Sequence, residues 1–77
     1  MAELLHYLAC VLVDYPDAVR VEEETEDDTV ILRLSVRRED IGKVIGKQGR
    51  TARAIRNLLH AAAARYDQRV QLHFVDA

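Results

Sequence analysis

Two glycines three residues apart, Gly46 and Gly49, enclose a lysine and are followed at once by Arg50. Because glycine has no Cβ, it adopts backbone angles that other residues avoid and lets another backbone approach closely. A helix that begins just after such a loop offers free N–H groups and a positive dipole end to an anion. The loop Gly46-Lys47-Gln48-Gly49 therefore predicts a site for phosphate groups, with Lys47 and Arg50 close enough to contact their oxygens.

The residues on either side of the loop extend this predicted site. Arg53 lies one helical turn beyond Arg50 and continues the same basic edge. Before the loop, Ile41, Val44 and Ile45 supply apolar surface, on which we expect nucleic-acid bases to lie. The candidate binding residues are thus Lys43, Val44, Ile45, Gly46, Lys47, Gln48, Gly49, Arg50 and Arg53.

Other kinds of site find little support in the sequence. The loop lacks the Gly-Lys-Ser or Gly-Lys-Thr ending of a mononucleotide phosphate loop, and the chain contains no GxGxxG dinucleotide pattern. His6, His60 and His73 lie on three different predicted elements, without a Ser or carboxylate spaced to work with them. Cys10 is the only cysteine, and no Cys/His cluster suggests a metal site. We therefore expect no catalytic site, no bound metal and no cofactor.

The charges of this 77-residue chain are strongly segregated, although the formal net charge is only −2 at pH 7. Between residues 14 and 28 there are eight acidic side chains and one basic one, whereas between residues 37 and 56 there are seven basic and two acidic ones. Because a local basic field attracts phosphate even in an acidic protein, the second segment is the one expected to bind nucleic acid.

The N-terminus lacks a basic region ahead of an apolar run, and no apolar stretch is long enough to span a bilayer, so we expect a cytoplasmic protein.

Apolar periodicity predicts three helices that position the loop. Leucines at helical spacing predict an amphipathic helix over residues 3–13, which Pro16 brings to an end. A short helix over Glu39–Ile45 is expected to lead into the loop, and a long helix is expected to begin at Arg50. The buried face of the long helix is expected to contain Ala52, Ile55, Leu59, Ala62 and Tyr66.

Alternation of apolar and polar residues predicts three strands. They contain Val19 and Val21, residues 30–36 and residues 70–74, and the segment Glu24–Asp28 is expected to be an acidic, turn-like connection between the first two strands. The order helix, strand, strand, helix, helix, strand predicts a two-layer α+β domain with a three-stranded mixed sheet and helices on one face. The short first connection favours an antiparallel hairpin, and the helical crossover allows the last strand to lie parallel to the second.

The segment Val44–Ile55 resembles the VIGxxGxxIxxI core of KH domains, whose GxxG loop clamps the backbone of about four single-stranded nucleotides. The predicted element order is similar to that of the prokaryotic, type II version of this fold, and the resemblance covers essentially the whole chain. It implies a single KH domain over residues 1–77. The size and the loop together resemble the small stand-alone bacterial RNA-binding KH proteins of the KhpA type.

This resemblance implies a weak, broad-specificity RNA chaperone or post-transcriptional regulator that holds single-stranded RNA. Two positions depart from the family pattern. Ala52 replaces the usual Ile after the loop, which trims the packing there. The segment Glu22–Asp28 corresponds to the variable loop bordering the nucleic-acid groove, and its acidic side chains are expected to repel phosphate and narrow the path of the RNA.

A second stripe on the long helix leads to an alternative function. It contains Ala54, Leu58, Ala61 and Arg65 and faces away from the predicted buried face, so Leu58 would be exposed in a monomer. One interpretation is an isolated surface leucine, which is common. The other is a helix–helix contact, and the resemblance implies a homodimer or a heterodimer with a larger KH-containing protein of the Jag (KhpB) type. The KH fold would then serve mainly as a protein–protein interaction module, with RNA contact secondary.

Overall fold

A computed structural model describes residues 1–75. Its helices and strands are α1 (Ala2–Leu12), β1 (Arg20–Glu26), β2 (Thr29–Ser35), α2 (Ile41–Ile45), α3 (Arg50–Ala64) and β3 (Arg69–Val75). Short 3₁₀ turns precede β1, α2 and α3. The predicted order of elements is confirmed. Within these 75 residues, every helix is too short or too polar to cross a membrane.

The strands form one sheet in the order β1-β2-β3. β1 and β2 are antiparallel, with Val21 opposite Leu34, whereas β2 and β3 are parallel, with Leu32 opposite Leu72. Both predicted pairings are confirmed, and β1 and β3 are the edges of the sheet. The parallel pair requires a crossover connection, and α2 and α3 with the loop between them form it.

One face of the sheet carries the hydrophobic core, as the alternation predicts. In β2, Val30, Leu32 and Leu34 are buried, while the side chains between them are half-buried. Helices cover this face, with Leu5 of α1 and Leu59 of α3 fully buried. A sheet packed on one side requires this alternation. The packing of α3 against β3 fixes the helix that follows the loop.

The acidic segment predicted to be a connection, Glu24–Asp28, is mostly strand. β1 continues to Glu26, and only Asp27 and Asp28 form the turn. β1 is an edge strand, and all but one of its side chains are exposed. Such a strand tolerates polar residues at every position, so its sequence shows no clear alternation and the prediction of its end was wrong.

The buried face of α3 is predicted correctly at its start and incorrectly near its end. Ala63 completes the buried face, whereas Ala62 is half-buried and Tyr66 is 75% exposed. Because residues 61–64 are all alanine, side-chain size does not indicate which of them face the core. The helix ends at Ala64, so Tyr66 lies beyond it. The residues correctly predicted to be buried are Ala52, Ile55 and Leu59.

Candidate nucleic-acid interface

The loop between α2 and α3 has a first position that only glycine fits. Gly46 has φ +78° and ψ 172°, and it ends α2 by donating a hydrogen bond from its N–H to the Gly42 carbonyl at 2.8 Å. A Cβ at Gly46 would lie 2.7 Å from the Thr51 Cβ and 2.9 Å from the Thr51 backbone nitrogen. Glycine is therefore required both for the backbone angle and for the close approach of the loop to α3.

The end of the loop leads directly into α3. Gln48 and Gly49 both have left-handed backbone angles, with φ values of +57° and +73°. No side chain caps the first turn of the helix, and a Cβ at Gly49 would meet no atom within 4 Å. The N–H groups of the first turn are therefore not used by a capping side chain and can meet an anion that approaches this open side.

Three basic side chains surround this end of α3. Lys47, Arg50 and Arg53 are exposed, and none of them forms a salt bridge with another residue in the range 1–75. The Arg50 guanidinium donates a long hydrogen bond to the Gln48 side-chain oxygen at 3.4 Å. The structure thus brings together the basic residues that the sequence predicts, with uncompensated charge beside the helix N-terminus.

Lys43 is placed differently from the other predicted binding residues. Its ammonium group forms salt bridges with the carboxylates of Asp14 and, at 3.5 Å, Asp40. The hydrogen bond to Asp14 raises the pKa of Lys43 above its usual 10.5, against the opposing effect of burial. Lys43 therefore ties the end of α1 to α2, and its charge is already compensated within the protein.

The apolar surface before the loop is smaller than predicted. Val44 is fully buried in the core, so its side chain cannot lie beneath a base, and the prediction of such a contact was wrong. α2 has only five residues, and Val44 is the position that anchors this short helix to the core. Ile41 and Ile45 are half-buried and keep part of their apolar surface accessible.

Asp40 positions the loop, although it is not among the residues predicted from the sequence. Its carboxylate is fully buried and accepts hydrogen bonds from the backbone N–H groups of Asp14 and Tyr15 at 3.2 and 3.0 Å. Burial raises the pKa of Asp40, but these hydrogen bonds and the Lys43 ammonium outweigh it, so the pKa is lowered below 3.8. Asp40 therefore clamps the segment after α1 to the start of α2, the helix that leads into the loop.

Asp40→Asn tests this clamp. The amide keeps the shape of the side chain but points an NH₂ group at one of the two N–H donors, so we expect a lower unfolding midpoint at pH 7. Because the folded-state pKa of Asp40 is lowered, its stabilising contribution is present above pH 3.8 and is lost as the pH falls through the folded-state value. The difference in unfolding midpoint between parent and variant, measured by circular dichroism, should therefore shrink below pH 3.8.

Asp17→Asn is the matched control for this experiment. Asp17 is exposed, and its carboxylate makes no hydrogen bond or salt bridge to any residue from 1 to 75. This control should unfold like the parent across the whole pH range. A difference between Asp40→Asn and the parent that stays constant down to about pH 2 would contradict the role assigned to the Asp40 carboxylate.

The basic edge continues from the loop along the side of α3 that faces β3. The Arg56 guanidinium lies 5.5 Å from the centre of the Phe74 ring in β3, which is a cation–π contact. Arg56 is two helical turns from the loop, so this contact places a third arginine of α3 beside the edge strand. Arg56 is not among the candidate residues predicted from the sequence, because spacing alone does not show which face of α3 meets β3.

The acidic turn Asp27-Asp28 lies at the opposite end of α3 from the loop. The Asp28 carbonyl accepts a hydrogen bond from the Arg69 N–H at 2.9 Å, where β3 begins after α3 has ended. The 15 residues of α3 separate this point from the loop by about 22 Å. The turn therefore lies near the end of α3, and the effect predicted for the acidic segment Glu22–Asp28, which is to repel phosphate and narrow the path of the RNA, stays a prediction.

The second stripe on α3 is exposed, as the sequence predicts. Ala54, Leu58, Ala61 and Arg65 all face solvent, and Leu58 is 53% exposed. Helical geometry places Leu58 on the opposite side of α3 from Arg56, away from the basic edge. Leu58 lies in a shallow groove between α3 and α1, of about 380 Å³, whose other lining residues are Leu4, Ala61, Ala62, Arg65 and Tyr66.

Comparison with known proteins places these features in a family context. A family model described as "KhpA/KhpB, KH domain" matches residues 2–74. RNA-binding protein KhpA of Halalkalibacterium halodurans is 47% identical over 76 residues, which cover 99% of this chain and 100% of that protein. The proteins of the same name from Clostridium acetobutylicum and Bacillus subtilis are 49% and 46% identical, over 97% and 99% of this chain and 100% and 94% of their own lengths.

Solved structures of Era show a similar fold. The Aquifex aeolicus protein bound to GDP and aluminium fluoride matches 97% of this chain with a TM-score of 0.61 and 21% sequence identity. A structure of Era in complex with MgGDPNP and nucleotides 1506–1542 of 16S ribosomal RNA matches the same share with a TM-score of 0.55 and 22% identity. In both comparisons this chain spans 29% of the Era chain, and at such identities the likeness concerns the fold alone.

Proposed function

Since the chain belongs to the KhpA/KhpB family of KH domains, we propose that it is an RNA-binding protein that holds single-stranded RNA at the loop Gly46–Gly49. Its curated relatives carry the name RNA-binding protein. The phosphate backbone crosses the loop and contacts the first N–H groups of α3 together with the side chains of Lys47 and Arg50. The observation that carries this proposal is the conformation of the two glycines. Gly46 lies in close contact with Thr51 of α3, whereas no atom lies within 4 Å of a Cβ built on Gly49, so a phosphate backbone can approach the loop there.

Lys47→Asp combined with Gln48→Asp tests the proposal, because carboxylates at these positions would repel an approaching phosphate.

The contacts proposed for the loop involve the RNA backbone, which carries no sequence information. Affinity should therefore be weak, broad in sequence and strongly reduced by salt. These properties suit a cytoplasmic RNA chaperone or post-transcriptional regulator that acts by binding and not by catalysis.

We further propose that the groove between α1 and α3 is an interface with another protein. The groove combines three exposed large side chains, namely Leu4, Leu58 and Tyr66, and exposed apolar patches of this kind mark interaction sites. A second copy of the chain would form a homodimer, and a larger KH-containing protein of the KhpB type would form a heterodimer. The small alanines beside Leu58 allow a partner helix to approach closely.

Leu58→Asp tests this interface. Burial of an unpaired carboxylate at the centre of a contact should weaken self-association by at least about thirtyfold, or ~2 kcal/mol. Sedimentation velocity at several protein concentrations measures the change. Asn57→Asp adds the same charge to the neighbouring exposed position, about 100° around the helix, and should leave the mass unchanged. A parent chain that sediments as a monomer, or an unchanged mass in Leu58→Asp, would argue against self-association through this groove.

A further inference from the structure

A cavity lies at the far end of the basic edge, where α3 ends and β3 begins. It has a volume of about 440 Å³ and is lined by Thr29, His60, Gln68, Arg69, Val70 and Gln71. The candidate binding residues around the loop include none of these. We propose, on the basis of the RNA-binding function proposed above, that this cavity receives a nucleobase of the same RNA strand, beyond the nucleotides that the loop holds.

The route from the loop to the cavity is continuous along α3. Arg50, Arg53 and Arg56 lie on successive turns of the helix, and His60 follows one turn later. Arg56 contacts Phe74 of β3, and His60 lines the cavity together with Arg69, Val70 and Gln71 of the same strand. From Arg50 to His60 the helix rises roughly 15 Å. A strand longer than the roughly four nucleotides clamped by a KH loop can therefore extend to the cavity.

The chemistry of the lining matches a base. The exposed imidazole ring of His60 is flat and offers a surface on which a base can stack. Val70, which is mostly buried, supplies an apolar contact beneath it. The side-chain amides of Gln68 and Gln71 and the hydroxyl of Thr29 provide both hydrogen-bond donors and acceptors, as the edges of a base require.

The charge around the cavity favours a neutral group over a phosphate. Asp28 directly precedes the lining residue Thr29, and its carbonyl accepts a hydrogen bond from the Arg69 N–H. Asp27 precedes Asp28, and Asp67 precedes the lining residue Gln68, so three exposed acidic residues lie next to the lining segments in the chain, whereas the lining itself contains one guanidinium, that of Arg69. This local negative charge opposes the binding of a phosphate and has little effect on an uncharged base. The loop and the cavity are thus complementary, since one suits the backbone and the other suits a base.

RNA oligonucleotides of two lengths test the proposal. A four-nucleotide RNA occupies the loop, whereas an eight-nucleotide RNA also reaches the cavity. A longer RNA can bind in more than one position, and the affinities are corrected for this statistical factor. The parent chain should then bind the longer RNA about tenfold more tightly, which is the gain expected from stacking one base on a flat side chain. In the double variant His60→Ala and Gln71→Ala most of this gain should be lost, while the affinity for the four-nucleotide RNA stays at the parent value. His6→Ala, at an exposed position of α1, is the matched control and should behave like the parent.

A second measurement separates the base from the backbone. Two eight-nucleotide RNAs, each lacking the bases at one end but keeping the phosphates, are compared with the intact RNA. One of the two should bind no better than the four-nucleotide RNA. The cavity proposal is overturned if both RNAs with missing bases bind as tightly as the intact RNA. It is also overturned if the double variant His60→Ala and Gln71→Ala still binds the eight-nucleotide RNA more tightly than the four-nucleotide RNA by the same factor as the parent. Neither result would affect the loop site. If the four-nucleotide RNA instead binds equally well when Lys47 and Gln48 are both replaced by Asp, the proposed function itself fails.

Discussion

Replacing both Lys47 and Gln48 with Asp should abolish RNA binding while the domain stays folded. The change removes an ammonium group and adds two carboxylates at the point where a phosphate backbone would approach most closely. We expect the affinity for single-stranded RNA to fall by about 100-fold or more at ~0.1 M salt, where the contribution of these charges is only partly screened. Fluorescence anisotropy with a labelled oligonucleotide measures the loss directly.

The geometry of the loop allows this double change without unfolding. Lys47 is exposed, and Gln48 has φ +57°, a left-handed conformation that Asp adopts more readily than most residues. The unfolding midpoint should therefore stay close to that of the parent. Arg20→Glu in β1 makes the same change in charge as Lys47→Asp on a different part of the molecule, and it should retain RNA binding. Parent-like affinity in the double variant would contradict a role of the loop in holding the RNA.

Gly46→Ala should be the most destabilising single substitution in the loop. The backbone angles of Gly46, φ +78° and ψ 172°, lie in a region that is essentially restricted to glycine, and the added Cβ would overlap the Thr51 side chain. Strain and overlap together should lower the free energy of unfolding by about 3 kcal/mol. Urea denaturation measures this loss, and RNA binding should decrease with it because the loop can no longer lie against α3.

Gly42→Ala is the matched control, and it should have the opposite effect on stability. Gly42 lies within α2, and a Cβ there would meet no atom within 4 Å. Alanine favours the helix and restricts the unfolded chain, so the free energy of unfolding should rise by about 0.5–1 kcal/mol. The same side-chain change is thus expected to give opposite signs at two positions four residues apart. Equal stabilities of Gly42→Ala and Gly46→Ala would show that the conformation of Gly46 is not required.

The order of elements and the position of the loop could be predicted because each has a local cause. The alternation in residues 30–36 follows from a sheet with one buried face, and the paired glycines mark a backbone that other residues cannot adopt. The exposed basic residues Lys47, Arg50 and Arg53 were likewise predictable, since polar residues beside a glycine loop are usually exposed. These features depend on neighbours within a few positions of the chain.

The errors concern side chains whose environment is set by distant residues. Asp40 is paired with backbone groups about 25 residues earlier, so no local pattern distinguishes it from a surface carboxylate. Lys43 was predicted to bind RNA because it is a basic residue near the loop, but its charge is compensated by Asp14, which follows α1 and is 29 residues earlier in the chain. Val44 was predicted to be accessible because a five-residue helix has too few turns for its buried face to be recognised from spacing. The segment Glu24–Asp28 was predicted to be a turn because β1 is an exposed edge strand, whose end no alternation marks.

The composition of β1 has a consequence for the behaviour of the protein at high concentration. An unpaired edge strand is a template for neighbouring chains, and repeated addition of strands leads to ordered aggregates. Four of the seven residues of β1 are glutamates, namely Glu22, Glu23, Glu24 and Glu26. A second chain adding to this edge through its own β1 would bring these rows of carboxylates within about 5 Å of each other. Charge repulsion therefore opposes fibre growth at this edge, so the protein should tolerate high concentrations without polymerising through β1.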